Sequence, residues 1–148
     1  MSPFSLSTVA LLPYLNGLKN AHAFISKASA HCTTTSTDPN TLLTASLHPT
    51  MKNLRYQVYR FTDGAKSIPQ RLNPKLEDRK LELPDVEQTF EELLERIQKT
   101  IDFVETFKKS DFEGIEADTV VTVGFGGGRG VRMRVDEFLA GFSHPNFW

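Results

Sequence analysis

The sequence predicts a mainly α-helical protein, a four-helix bundle with a small β-hairpin before its last helix. Three observations predict this fold class. Three long segments space their apolar residues three or four positions apart, which places them on one face of a helix. Two short β-branched runs flank a glycine-rich stretch, which is typical of a hairpin. A chain of 148 residues, 39% of them hydrophobic, suits a single domain that spans residues 1–148.

The first predicted helix runs from about Leu6 to His31. Its apolar face carries, at steps of four and three, Leu11, Leu15, Leu18, His22 and Ile25. Pro13 lies near the start, where it is expected to bend or delay the helix. Residues 32–40 are rich in Thr and Ser and are predicted as a loop. Within that loop, Asp38 and Pro39 favour one short helical turn.

The second predicted helix runs from about Pro49 to Leu72. Its apolar stripe carries Met51, Leu54, Val58, Phe61, Ala65, Ile68 and Leu72. Pro69 is expected to kink or end this helix. Residues 73–85 are charged and contain two prolines, so we predict a solvated connection.

The third predicted helix begins at a capping box. Thr89 and Glu92 have the spacing at which both side chains bond free backbone N–H groups of the first turn. The stripe that follows carries Phe90, Leu93, Leu94, Ile97, Ile101, Val104 and Phe107. Lys108 and Lys109 suit the end of the helix, where cations interact favourably with the helix dipole.

A hairpin is predicted over about residues 119–135, followed by a last helix that Asp136 caps and that is incomplete at Trp148. Gly124–Gly130 also suggests a phosphate loop, but a second strand follows it instead of the helix that such a loop needs. Arg129, Arg132 and Arg134 add local positive charge. That charge suits the solvated face of a hairpin or, less well, an anionic ligand or RNA.

Composition excludes several classes of protein. The formal net charge of −1 gives no general attraction to nucleic acid or to anionic lipid, and no run of about 18 apolar residues could cross a membrane. The single cysteine, Cys32, cannot form an internal disulfide. No Lys or Arg precedes the apolar run from Ser7 to Leu12, which argues against a signal peptide. We therefore expect a cytoplasmic protein that binds neither nucleic acid nor membranes.

Candidate site residues are few. His48, at the predicted start of the second helix, and His144, near the end of the last helix, are candidate ligands for a divalent transition metal such as Zn, Ni or Fe. The alternative is that each is an ordinary core or surface histidine, since the chain has no HxxxH or HExxH pair. Tyr56 and Gln57 place polar groups at the edge of an apolar stripe. They could line a pocket for a small molecule or lie on the bundle surface.

Short patterns spread over nearly the whole chain resemble an uncharacterised family of domains of unknown function. This family lies within the DinB/YfiT-like helical-bundle superfamily, and the resemblance is closest to fungal members. The patterns are Lys27–His31, Leu47–Met51, Gln57–Val58 with Asp63, Ala65–Lys66, Arg71–Leu72, Glu87 with Thr89, Glu92–Leu93, Arg96–Ile97, Lys99–Thr100, Phe112–Gly114 and Pro145–Phe147.

The resemblance implies an up-down-down-up bundle and a possible metal site built from three histidines on its inner faces. Some members of the superfamily are metal-dependent thiol transferases. Members of this family typically continue past Pro145–Phe147 with a histidine and further helix, whereas this chain ends at Trp148. It is therefore expected to be a shortened gene model, a fragment, or a form that pairs with a second copy.

Two hypotheses follow. The first is an enzyme-like domain, metal-dependent or binding an unknown small molecule. The second is a non-catalytic interaction module that pairs, for example as a homodimer, through an incompletely covered core face.

Overall fold

A computed structural model describes residues 5–124 and 130–147 of the chain. The elements, in chain order, are α1 (Leu6–Thr35), α2 (Pro39–Leu43), α3 (Leu54–Leu72), α4 (Phe90–Glu105), β1 (Val120–Gly124), β2 (Gly130–Arg134), a π-helix (Glu137–Ser143) and α5 (His144–Phe147). Short 3-10 turns lie at Pro74–Leu76 and Lys109–Phe112. The mainly helical class with one small hairpin is confirmed.

Contacts between the helices give their directions. Arg55, in the first turn of α3, bonds Gln88, just before α4, while Asn73, just after α3, donates to the carbonyl of Asp111. Helices α3 and α4 therefore run parallel, joined by a long connection at residues 73–89. Helix α1 runs opposite to both, since Tyr14 lines one cavity with Arg71 near the end of α3, and Phe24, later in α1, lines another with Gln57 near the start of α3.

The last segment runs in the direction of α1. Its residues lie beside successively later residues of α1, because Leu139 lines one cavity with Leu6, and Phe147 lines another with Phe24. The result is the up-down-down-up arrangement. One apolar cluster at its centre includes residues from α1, α3, α4, β1 and the π-helix, together with Val135 just after β2.

The predicted start of the second helix at Pro49 is wrong by five residues. The Met51 N–H donates to the carbonyl of His48 in a turn, and the Asn53 side chain caps α3 at the Tyr56 N–H. Met51 therefore lies outside the apolar stripe and is 48% exposed. Periodicity alone extended the helix through this turn, and the capping asparagine marks the true boundary.

The bounds of α1 and the effect of Pro69 also differ from expectation. Helix α1 continues to Thr35 and ends at Ser36, whose backbone is left-handed at φ 54°. Pro69 does not end α3, which continues to Leu72, and the Asn73 N–H then bonds the Pro69 carbonyl. The predicted turn at Asp38 and the capping box at Thr89 and Glu92 are both confirmed.

The hairpin pairs β1 with β2 in antiparallel register, with Thr122 opposite Arg132. Arg132 and Arg134 are exposed on one face, as predicted. Arg134 forms an ion pair with Asp136, and that carboxylate also accepts from the Glu137 N–H at the start of the π-helix. The predicted glycine turn and Arg129 fall at residues 125–129, outside the described residues.

No helix among the described residues has the length and apolar character needed to cross a membrane.

A buried arginine ties α3, α4 and their long connection together. The side chain of Arg96, on α4, is 0% exposed. Its Nε donates to Thr62 at 2.8 Å, and one terminal nitrogen donates to the Pro84 carbonyl at 2.9 Å. Three carboxylates surround the same guanidinium at 3.1–3.2 Å: Asp63, Asp85 and Glu87. The connection is therefore held against the helices by charge-assisted hydrogen bonds in a buried setting.

We expect Arg96→Ala to destabilise the protein by about 3–5 kcal/mol, because three carboxylates would lose their buried cation. Urea unfolding followed by circular dichroism measures this loss. Lys19→Ala, which breaks an exposed ion pair between α1 and α4, is the matched control. It should lower the free energy of unfolding far less. Equal losses in the two variants would contradict the importance of the Arg96 network.

Candidate functional site

A cleft of about 950 Å³ lies between α3, the connection and β1. Its α3 wall carries Lys66, Ser67, Gln70 and Arg71. The facing walls carry most of the apolar side chains, Leu81, Leu83, Pro84, Val120 and Val121, together with Glu77, Lys80, Glu82, Thr119 and Thr122. The cleft thus has a polar wall on α3 and two facing walls of mixed character.

The helical repeat explains the polar wall. Residues 66, 67, 70 and 71 lie at i, i+1, i+4 and i+5, so they share one side of α3. The neighbouring side carries Ala65, Ile68 and Leu72, which are buried in the core. Helix α3 therefore separates the core from the cleft.

The facing wall is fixed by hydrogen bonds on both sides of Leu81 and Leu83. Arg96 holds Pro84 and Asp85. Arg79 pairs with Asp111 at 3.0 Å, and its guanidinium lies 4.1 Å from the centre of the Phe107 ring. The cleft is therefore built into the fold and does not depend on a free loop.

Arg71 is the cation of the cleft for which the described part of the chain supplies no counter-ion. Lys66 pairs with Asp63 at 2.8 Å, and Lys80 pairs with Glu77 at 3.3 Å. Within residues 5–124 and 130–147, no carboxylate forms an ion pair with Arg71. Partial burial lowers the pKa of the Arg71 guanidinium, but an arginine side chain still remains charged.

Gln70 also has an unused polar group. Its Nε2 donates to the carbonyl of Arg79, whereas its buried Oε1 has no hydrogen-bond partner in the part of the chain that the structure describes. A buried acceptor without a donor costs about 1–3 kcal/mol. A ligand that supplied an N–H or O–H group would recover that cost.

A smaller groove of about 270 Å³ lies between α1, α3 and α5. Gln57, one of the predicted pocket residues, lines it together with Phe24, Phe61 and Phe147. The Gln57 side chain donates to the Lys52 carbonyl at 3.2 Å. Tyr56, the other predicted pocket residue, lies on the exposed side of α3, with the Arg60 guanidinium 5.1 Å from its ring centre.

His144 packs against the ring of Tyr14. Its ring centre lies 5.2 Å from that of Tyr14, and its Nε2 is buried with no partner among the described residues. Burial lowers the pKa of His144, which favours the neutral imidazole. The Tyr14 hydroxyl bonds Ser143 at 2.5 Å, and burial raises the pKa of Tyr14 to about 12.

The two candidate metal ligands lie in different surroundings. His48 lies in the exposed loop between α2 and α3, where its Nδ1 is 2.8 Å from the Thr50 hydroxyl. His144 is instead half-buried, and its ring packs against Tyr14 of α1.

The described donors also do not fit the three-histidine site that the fold family implies. No three His, Cys, Asp or Glu side chains are placed to hold a metal within the described ranges. Metal binding through His48 and His144 stays a prediction.

Sequence reasoning missed the cleft because it interpreted residues 73–85 as a solvated connection. One signal was present. Leu81 and Leu83 alternate with the charged Lys80 and Glu82, which is the pattern of an extended segment with one buried side. Nothing in the sequence showed that this side would face Gln70 and Arg71.

Comparisons with known proteins agree with this fold. A family model described as a domain of unknown function, DUF1993, matches residues 6–148. The crystal structure of a DinB family member protein from Shewanella denitrificans is similar at 28% identity and a TM-score of 0.82. The match covers 96% of this chain and 78% of the Shewanella chain. No protein with curated annotation matches.

The low pKa of His144 predicts a pH dependence of stability. The unfolded chain takes up a proton at this residue near the ordinary pKa of about 6.5, before the folded protein does. The free energy of unfolding should therefore fall as the pH drops below about 6.5. Urea unfolding at pH 7, 6 and 5 should show a smaller fall in His144→Phe than in the wild type. His31→Phe changes an exposed histidine and should keep the wild-type dependence. A His144→Phe variant as sensitive as the wild type would contradict the prediction.

Proposed function

Because the chain belongs to the DUF1993 family and has a DinB-like fold, we propose that it is a small-molecule-binding domain. Its ligand occupies the cleft between α3, the connection and β1. The observation that carries this proposal is the cleft itself, about 950 Å³ in volume, with a polar wall on α3 and most of its apolar side chains on the two facing walls. This volume lies at the upper end of the roughly 300–1,000 Å³ that ligand pockets occupy.

The lining supports the same proposal. Ligand pockets combine mainly apolar walls with a few polar groups that fix orientation. Leu81, Leu83 and Val120 supply apolar surface here, while Gln70 and Arg71 supply polar groups without a partner among the described residues. A metal-dependent reaction is not part of the proposal, since the described residues do not assemble a ligand set.

Blocking the cleft tests the proposal. Thermal unfolding of the wild type is measured with octanoate, N-octanoylglycine, octanol, octanamide and octylamine, which share an eight-carbon chain and differ in head group. A compound that binds the folded state raises the midpoint of unfolding. We expect at least one to do so, and we expect Leu83→Trp, which fills the cleft, to abolish the effect.

Val86→Trp is the matched control, because Val86 lies on the same connection, is 64% exposed and does not line the cleft. It should respond as the wild type does. If Leu83→Trp fails to fold, Thr122→Trp on the exposed face of β1 blocks the cleft instead. No stabilisation by any of the five compounds, or stabilisation that persists in the blocked variant, would overturn the proposal.

An interaction module is the second candidate function, and one observation favours it. Phe24 is 54% exposed beside the groove that Gln57, Phe61 and Phe147 line. Helix α5 covers α1 near Tyr14, while Phe24, ten residues further along α1, keeps half of its surface in solvent. A second copy of the chain that inserts an apolar side chain there would bury this aromatic surface.

Sedimentation equilibrium tests the pairing. The proposed module gives a dimer that Phe24→Ser converts to a monomer, because the substitution removes apolar surface from the contact. Leu47→Ser is the control, since Leu47 is 94% exposed on the α2–α3 loop, and it should leave the dimer intact. A wild type that is monomeric at every concentration would exclude the module.

A further inference from the structure

We infer that the cleft binds an amphipathic carboxylic acid whose carboxylate is flanked by a hydrogen-bond donor, the arrangement found in N-acyl amino acids. The carboxylate lies at Arg71, the donor at Gln70 and the acyl chain against the connection and β1. This inference rests on the proposed function and names the chemistry of the same site.

The distribution of polar and apolar side chains over the walls of the cleft indicates an amphipathic ligand. Apart from the buried Leu72, the side chains that α3 presents to the cleft are polar, whereas the connection and β1 present Leu81, Leu83, Val120 and Val121 among charged and hydroxyl side chains. A ligand that contacts both sides needs an apolar body and a polar edge. An entirely apolar ligand would leave the Arg71 guanidinium desolvated without a partner, which is costly.

Arg71 indicates that the ligand carries a single negative charge. Lys66 and Lys80 already have carboxylate partners, so Arg71 is the cleft cation that has no carboxylate partner among the described residues. The Tyr14 hydroxyl, which also lies near Arg71, is neutral at physiological pH and supplies no negative charge. One free guanidinium suits a single carboxylate, which it bonds through two parallel N–H groups.

The acidic residues of the cleft do not oppose this assignment. Glu77 is paired with Lys80, and its side chain is 76% exposed. Glu82 is also exposed, so water and salt screen its charge from Arg71. A ligand amine would meet Lys66 and Arg71 on the polar wall and would be repelled by both.

The Gln70 acceptor indicates that the ligand carries a hydrogen-bond donor. Its Oε1 is buried and has no partner within the described ranges, and it precedes Arg71 in the chain. A ligand N–H group one carbon away from the carboxylate supplies the missing hydrogen bond while the carboxylate stays at Arg71. A fatty acid without such a donor leaves the Gln70 acceptor unsatisfied.

The test compares four probes by isothermal titration: N-octanoylglycine, N-octanoylsarcosine, N-octanoylglycine methyl ester and octyl phosphate. N-octanoylsarcosine has a methyl group in place of the amide hydrogen, and the ester has no charge. We expect N-octanoylglycine to bind tightest. N-octanoylsarcosine should bind about tenfold more weakly, because the Gln70 acceptor stays unpaired. The ester should bind at least tenfold more weakly, because Arg71 loses its counter-ion.

The variant Arg71→Gln supplies the protein side of the test. It should lower the affinity for N-octanoylglycine at least tenfold while leaving the affinity for the ester unchanged. Arg55→Gln is the matched control, since Arg55 lies on the same helix, outside the cleft, and bonds Gln88. It should bind all probes as the wild type does. If Arg71→Gln fails to fold, the comparison of probes on the wild type still decides the question.

The outcomes separate this inference from the proposed function. Probes that bind equally well, and whose binding Leu83→Trp abolishes, would keep the cleft as a binding site but overturn the carboxylate and donor chemistry. Tighter binding of octyl phosphate than of N-octanoylglycine would also overturn it, in favour of a phosphate ester. If no probe binds and the five eight-carbon compounds also fail to stabilise the protein, the proposed function fails together with the inference.

Discussion

The burial of Arg96 is the constraint on which the rest of the structure depends. A guanidinium removed from water must find hydrogen-bond acceptors and negative charge, or the folded state loses several kcal/mol. Here the partners come from Thr62 and Asp63 on α3 and from Asp85 and Glu87 on the connection. The Tyr59 ring, 4.8 Å from the guanidinium carbon, closes another side. Satisfying one cation thereby fixes two parallel helices and the long segment between them.

The cleft is a consequence of that constraint. Two parallel helices cannot be joined by a tight turn, so residues 73–89 must return along the whole length of α3. Arg96 holds one end of this segment, and Arg79 with Asp111 holds the other. The stretch between these two anchors stands away from α3, and β1 closes the third side. The fold therefore creates a concave surface between fixed walls, where ligand sites are commonly found.

The polar groups in this part of the molecule differ in how far the fold satisfies them. Most have partners, such as Lys66 with Asp63, and Asn73 with the Asp111 carbonyl. The Arg71 cation and the Gln70 acceptor do not, within the residues that the structure describes. Folded proteins rarely leave a buried acceptor such as the Gln70 Oε1 unpaired. Its position beside the half-buried Arg71, on one wall of a single cleft, is the physical basis for assigning a ligand to the cleft.

The sequence by itself determined the helical class, the hairpin and the capped start of α4. Each depends on neighbours in the chain, as the bond from the Glu92 N–H to Thr89 illustrates. Local patterns placed the start of α3 five residues too early, because the turn at His48 interrupts a spacing that continues across it. Only the tertiary structure decided that Arg71 would lack a carboxylate partner among the described residues and that His144 would pack against Tyr14 while His48 stays exposed. Those outcomes depend on which distant residues meet, and Arg96 sets that arrangement through partners up to 34 positions away in the chain.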